Sequence, residues 1–229
     1  MKFAIAFALT LCLISAYAQS STTRPPFVRA VGQGNISVQP DLANIDFSVI
    51  TTAGTAQSAA SQNATQVATL LAALQTLLGS TGNTQTIGYS LSPNYNYPPG
   101  GNPVLTGYTA SNTIQVAASD LSMVGTIIDT GVQAGATNVQ SLQFTLKNPD
   151  PATQQALAAA TTQAKAHAAA MASGVGMHTG TVNSIQENVS TNVTPVNGAP
   201  GAIAATTTPV LPGLVYIQAT VTLEVALTN

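Results

Sequence analysis

Two histidines, His167 and His178, and seven carboxylates, Asp41, Asp46, Asp120, Asp129, Asp150, Glu187 and Glu224, are the side chains with which this sequence could do acid–base or metal chemistry. A helical metal clamp sets its ligands three or four residues apart, and His167 has no His, Asp or Glu at either spacing. His178 follows Gly176-Met177 in a turn-like stretch. Paired-carboxylate hydrolysis needs two acids converging on one cleft, and no local spacing suggests such a pair. Asp120 and Asp150 hold the positions of helix caps, Asp41 that of a turn residue, and Asp46 and Glu224 those of outward strand residues. A Ser or Thr nucleophile would need a base, for which His167, His178, Lys147 and Lys165 are the candidates, and none stands in a nucleophile motif. The expectation is therefore no catalytic residue, no metal ligand and no cofactor. A small-ligand binder, or a metal-assisted hydrolase built from a histidine and a distant carboxylate, is kept as the alternative.

Two other concentrations of residue type invite a functional reading. Gly32-Gln33-Gly34-Asn35 alternates glycines, but it lies in or beside a strand with no helix after it, so it is not a dinucleotide loop. A bulge or an exposed strand edge is expected there, and an exposed edge is a surface that another subunit can extend. Tyr89, Tyr95, Tyr97 and Tyr108 are four of the chain's six tyrosines and fall in one expected hairpin. Cross-strand aromatic packing, subunit contact and small-ligand contact are three readings of this cluster, because tyrosine buries apolar area while keeping a hydrogen-bonding end.

Of the 229 residues, 45% are hydrophobic and 5% charged, with 5 Lys+Arg against 7 Asp+Glu and a formal net charge of -2. Nucleic-acid binding is excluded, since neutralising phosphates takes clustered basic side chains. Residues 1 to 18 read as an export signal: Lys2 supplies the positive start, Phe3 to Ala16 is almost wholly apolar, and Ala16-Tyr17-Ala18 offers the small residues of a cleavage site, placing the cut before Gln19. Cys12, the one cysteine, lies in that apolar stretch, so the exported chain has neither a thiol nor a disulfide. No transmembrane helix is expected after the signal. The fold must then be held by apolar burial, expected as one continuous core.

The elements that would position these residues are read from periodicity. After an extended lead-in over 19 to 27, strands are expected at Val28 to Val38 and Ala43 to Thr52, bent apart by Gln39-Pro40-Asp41. In the second, Ala43, Ile45, Phe47 and Val49 share a face. A helix from about Ala56 carries Val67, Leu70, Leu71, Leu74, Leu77 and Leu78 and stops at Gly79. Strands over 84 to 97, with Ile87, Tyr89 and Leu91 on one face, and Tyr108 to Ala117 form the tyrosine-bearing hairpin. A helix capped by Asp120 runs to Gly135, a strand covers Val139 to Leu146, and Asp150-Pro151 opens an alanine-rich helix with Leu157, Ala160, Ala164, Ala168 and Met171 along one side. A strand over Val182 to Val189 follows. A Thr/Ala/Pro/Gly-rich insertion over 190 to 213 is read as a loop external to the core, so deleting 196 to 211 is expected to cost little stability. The last strand alternates Val215, Ile217, Ala219, Val221, Leu223, Val225 and Leu227 so strongly that it belongs inside a sheet. The fold class is α+β: a mixed, largely antiparallel sheet with about three packed helices, in the order ββαββαβαββ and within a single domain over 28 to 229.

Several ordered pieces of the chain resemble the SIMPL domain family, also called DUF541, of exported bacterial proteins. They are Val31-Gly32-Gln33-Gly34 followed by Val38-Gln39-Pro40-Asp41 and Ala43; Gly88-Tyr89-Ser90-Leu91-Ser92-Pro93 with Tyr95 and Tyr97; Gly107-Tyr108-Thr109-Ala110-Ser111-Asn112; Asp120-Leu121; Gly135-Ala136; Ala164-Lys165-Ala166; and Gly174-Val175 leading to Ser184-Ile185. The resemblance implies a mixed sheet with packed helices, a periplasmic or outer-membrane-associated location, assembly of some members into large ring-like or channel-like oligomers, and in some members a link to oxidative-stress tolerance. It carries no catalytic residue or cofactor. The chain departs from the family in having Gln, Thr, Ala and Ser on the helix faces over 56 to 79 and 151 to 173, where the family has many charges. The expected function is that of a non-catalytic envelope protein acting through self-association into a homo-oligomer or through contacts with other envelope components, with Tyr89, Tyr95, Tyr97 and Tyr108 as contact residues.

Overall fold

A computed structural model describes residues 25–79, 83–194 and 207–229. The expected signal over 1 to 18, the cut before Gln19 and most of the lead-in lie outside these residues, as do positions 195–206 of the insertion. Ten elements follow one another: β1 (Phe27–Val38), β2 (Leu42–Ala53), α1 (Ala56–Leu78), β3 (Asn83–Asn96), β4 (Val104–Ala118), α2 (Val124–Gln133), β5 (Asn138–Thr145), α3 (Asp150–Gly174), β6 (His178–Thr194) and β7 (Leu214–Thr228). This is the anticipated α+β order. The strands divide into two sheets, β1-β7-β6 and β3-β4-β2-β5, and neighbours in each pair antiparallel. The Gln39-Pro40-Asp41 bend carries the chain from one sheet to the other. Asp41 is tied down there: its N–H donates to Thr145 O (3.1 Å), and its carboxylate accepts from the Lys147 N–H (2.7 Å).

The four-stranded sheet packs its alternating apolar face against α1 and α2. Ala43, Ile45, Phe47 and Val49 of β2 are fully buried, with Ile114 and Val116 of β4 beside them and Val67, Leu70 and Leu74 of α1 above. Helix α1 starts where the Thr55 side chain accepts the Ser58 N–H, satisfying a donor that has no partner within the helix. Asp120 caps a single 3-10 turn, Leu121–Met123, that leads into α2.

The three-stranded sheet packs under α3, and this is a second core. Val215, Ile217, Ala219, Val221, Leu223 and Val225 of the central strand β7 meet Ala152, Ala156, Ala160, Ala164 and Ala168. The expectation of one continuous core is thus corrected to two apolar clusters, because the strands of each sheet face a different helix. The buried row of α3 is alanine at every fourth position, and Met171 is exposed. Small side chains allow the helix axis to come close, and Gly32 and Gly34 complete the fit. They sit in regular register opposite Val221 and Ala219, so the expected bulge is absent. A Cβ on Gly32 or Gly34 would overlap the carbonyl oxygen of Ala160 or Ala156.

Three further expectations are corrected. Asp150 does not cap α3 with its side chain: it occupies the first turn, where acidic charge suits the helix dipole, and its own N–H donates to Asn148 Oδ1 (3.1 Å). Glu224 does not point outward into water. It is buried directly opposite Arg29, whose Nη2 lies 3.2 Å from its carboxylate. The insertion is shorter than composition suggested, since β6 continues to Thr194. Its far end is anchored as well: Asp129 of α2 accepts from the Thr208 N–H (3.1 Å) and Oγ1 (2.6 Å), and Val210 packs on the α1 core. A deletion through residue 211 therefore removes real contacts.

Candidate functional site

Strand β3 forms one edge of the four-stranded sheet, with β4 as its neighbour. Tyr89 lies opposite Asn112, Leu91 opposite Ala110, Pro93 opposite Tyr108 and Tyr95 opposite Leu105. No tyrosine faces a tyrosine across the hairpin, so cross-strand aromatic pairing is not what gathers them. A ring contact instead runs along the chain, between Tyr95 and Tyr97, with centroids 6.5 Å apart and planes at 54°. A register shift between Thr86 and Gly88 takes Ile87 out of line with Tyr89 and Leu91.

The side on which the tyrosines stand follows from the pairing. Ala110 and Ile114 belong to the buried face of β4 under α1, so Tyr89 and Leu91, which share the face of Ala110 and Asn112, also stand on the α1 side. Helix α1 lies chiefly over β4 and β2 and meets β3 less. The result is an exposed stripe: Tyr89 is 56% exposed, Leu91 40%, Tyr95 48% and Tyr97 71%, with Tyr108 half-buried beside them. Apolar side chains normally leave water when a partner is offered, which makes this stripe the candidate contact surface.

Next to the stripe, α1 and the sheet share two amides that sequence reasoning passed over. Asn63 Nδ2 donates to Val49 O (2.8 Å) and Ala110 O (3.3 Å), while Asn63 Oδ1 and Asn112 Oδ1 are buried without a hydrogen-bond partner among the described residues. The signal was present: Asn63 sits four residues after Ala59 and four before Val67, a polar side chain in the middle of the apolar stripe of α1.

The acid–base candidates do not converge. His167 is exposed on α3, and its Nδ1 lies 2.7 Å from Val31 O on β1. The Gln163 side chain accepts the Gln33 N–H two residues further along the same strand. β1 is an outer strand, as expected of an edge at Gly32-Gln33-Gly34, and these two side chains take up two of its backbone groups. His178 opens β6. Asp46 accepts from Gln115 Nε2 (3.0 Å) and Ser141 Oγ (2.6 Å), and Asp120 from the N–H and Oγ of Ser122. Among the described residues, no three His, Cys, Asp or Glu side chains lie close enough together to hold a metal ion. Two clefts of about 520 and 690 Å³ are lined, respectively, by Leu78, Asp120 and Ile127 among others and by Phe144, Asn192 and Leu211 among others, and neither lining includes a histidine or a tyrosine. No described helix is long and apolar enough to cross a membrane.

Residues 28–225, nearly all of the chain, match the SIMPL family, described as a protein of unknown function (DUF541). The chain belongs to the SIMPL family. Its similarity to individual SIMPL proteins is spread over most of their length. It is 31% identical to the 26 kDa periplasmic immunogenic protein of Brucella melitensis over 180 residues, covering 76% of this chain and 72% of that protein. It is 26% identical to the uncharacterized protein YggE of Escherichia coli K12 over 192 residues, covering 83% of this chain and 78% of YggE. The exported, periplasmic location expected of a SIMPL protein agrees with the Brucella relatives, whose name places them in the periplasm.

Proposed function

We propose that this SIMPL protein is a non-catalytic component of the bacterial envelope that works by self-association, using the exposed face of β3. The observation that carries the reading is the exposure of Tyr89, Leu91 and Tyr95 on the edge strand β3, with Tyr97 just past its end, where α1 packs less closely than it does on β4 and β2. Such a strand offers both unpaired backbone groups and apolar area to a neighbour. The carboxylates argue in the same direction, since Asp41, Asp46, Asp120 and Asp129 are engaged as acceptors for neighbouring N–H and O–H groups. A role in stress tolerance, which the family resemblance implies, would then be exerted through an assembled structure and not through turnover.

Sedimentation velocity on residues 19 to 229 tests the proposal. Species of many subunits at micromolar concentration are the expected result, and a strict monomer over that range overturns it. The alternative, small-ligand binding beside the unpaired Asn63 and Asn112 amide oxygens, predicts instead a monomer whose melting temperature rises with a hydroxyl- or amine-bearing compound.

A further inference from the structure

Strand β6 has the same unfinished character as β3, at the edge of the other sheet. From His178 to Val193 every one of its residues is exposed. Val182, Ile185, Val189 and Val193 lie opposite Val225, Leu223, Ala219 and Val215 of β7, which are buried under α3. The four β6 side chains therefore point to the α3 side, yet α3 lies chiefly over β1 and β7, and they are left 50%, 58%, 36% and 44% exposed. Each sheet thus ends in a long outer strand, β3 with 14 residues and β6 with 17, whose apolar stripe its helix covers only in part. The other two outer strands differ. The edge of β1 is met by Gln163 and His167, and β5 has only 8 residues, four of which wall a cleft whose other side is Thr191, Asn192 and Val193.

We infer that β6 of one copy adds to β3 of the next, an inference that rests on the self-association proposed above. The two sheets then join edge to edge, and Val182, Ile185, Val189 and Val193 meet Tyr89, Leu91 and Tyr95 in the trough between α3 of one copy and α1 of its neighbour.

Charge and area favour this occupant over a like-with-like contact. Glu187 lies opposite the buried Val221, which places it on the apolar side of β6, and it is one residue from the middle of the strand. A two-fold β6–β6 pairing in full overlap would therefore bring two Glu187 carboxylates together inside an apolar joint, which is costly. Strand β3 has no Lys, Arg, Asp or Glu and offers tyrosine hydroxyls and asparagine amides instead. At the exposures given, the four β6 side chains with Tyr89, Leu91, Tyr95 and Tyr97 present roughly 700 Å², close to half of the ~1,600 Å² that a standard stable interface buries, before the strand edges and intervening polar residues are added. A joint between two different surfaces is heterologous, so it propagates until it closes on itself or runs on as a filament.

Mixing single variants tests the joint. Val189→Asp disables the β6 edge and leaves β3 intact; Tyr89→Asp does the reverse. Both sites are exposed, and unchanged circular dichroism and melting temperature establish that each variant is folded. The pair Ile185→Asp and Tyr95→Asp repeats the experiment should either of the first two fail to fold. The expected result is that the unsubstituted chain forms large species, each variant alone is a monomer, and an equimolar mixture stops at a dimer containing one of each. If Val189→Asp assembles normally while Tyr89→Asp does not, β3 pairs with itself, and this inference falls while the proposed function stands. Two monomeric variants that do not combine also overturn the inference alone. If Tyr89→Asp assembles normally, the β3 face is not the contact and both readings fail, as they do if the unsubstituted chain is itself a monomer.

Discussion

Gly34 meets α3 at the Ala156 carbonyl oxygen, a backbone atom that cannot rotate away. Gly34→Ala is accordingly expected to destabilise the protein by about 2–3 kcal/mol, read from denaturant unfolding, because the helix must lift from the sheet to admit a methyl group. Gly54→Ala is the matching control. Nothing lies within 4 Å of a Cβ built there, and its effect should stay within about 1 kcal/mol. The same close approach explains His167 and Gln163, which are near enough to β1 to bond its Val31 carbonyl and Gln33 N–H. At this scale three of the carboxylates act as fastenings: Asp41 at a sheet-to-sheet bend, Asp129 at the end of an insertion, Glu224 beside Arg29.

Among the elements, β7 is the one both sheet neighbours and α3 depend on, so its inward face should be intolerant of charge. Val221→Asp, at 1% exposure, is expected to cost about 4 kcal/mol or to prevent folding. Tyr216→Asp, on the opposite face of the same strand and 39% exposed, should cost clearly less, about 1–2 kcal/mol. Equal effects at the two positions would mean that β7 is not buried on one side only. The tie between α2 and the insertion makes a separate prediction. Asp129→Ala removes both hydrogen bonds from Thr208, and should cost about 1 kcal/mol while speeding hydrogen exchange at the Thr208 amide. Exchange along β7 should be unaffected, since β7 takes its partners from β1 and β6.

For the whole molecule, the decisive feature is that two helix-covered sheets each leave one long edge strand with apolar side chains in water. The stripe on β3 carries no charge, and β6 carries a single carboxylate on its apolar side. Assembly through such surfaces should resist salt, because ionic screening acts on charges and these are nearly absent. Species seen by light scattering at low ionic strength are therefore expected to persist in about 0.5 M sodium chloride and to grow in sulfate, which strengthens apolar burial. Dissociation in sodium chloride would point to ionic contacts between subunits, which α1, with no charged residue, and α3, with only Asp150 and Lys165, make hard to supply.

Patterning alone carried the element order, the apolar faces of β2, α1 and β7, the central place of β7 and the family, because burial on one side of a strand or helix leaves a period that needs no partner to be read. It also picked out Tyr89, Tyr95, Tyr97 and Tyr108. Tertiary structure decided how far those tyrosines are exposed. Whether an apolar strand face is covered depends on where a helix from another part of the chain comes to lie, and β3 and β6 read in sequence much as covered strands do. The division into two sheets, the closeness of α3 at Gly32 and Gly34, and the burial of Glu224 opposite Arg29 have the same cause. Each is a meeting of segments far apart in the chain, and local spacing holds no record of it.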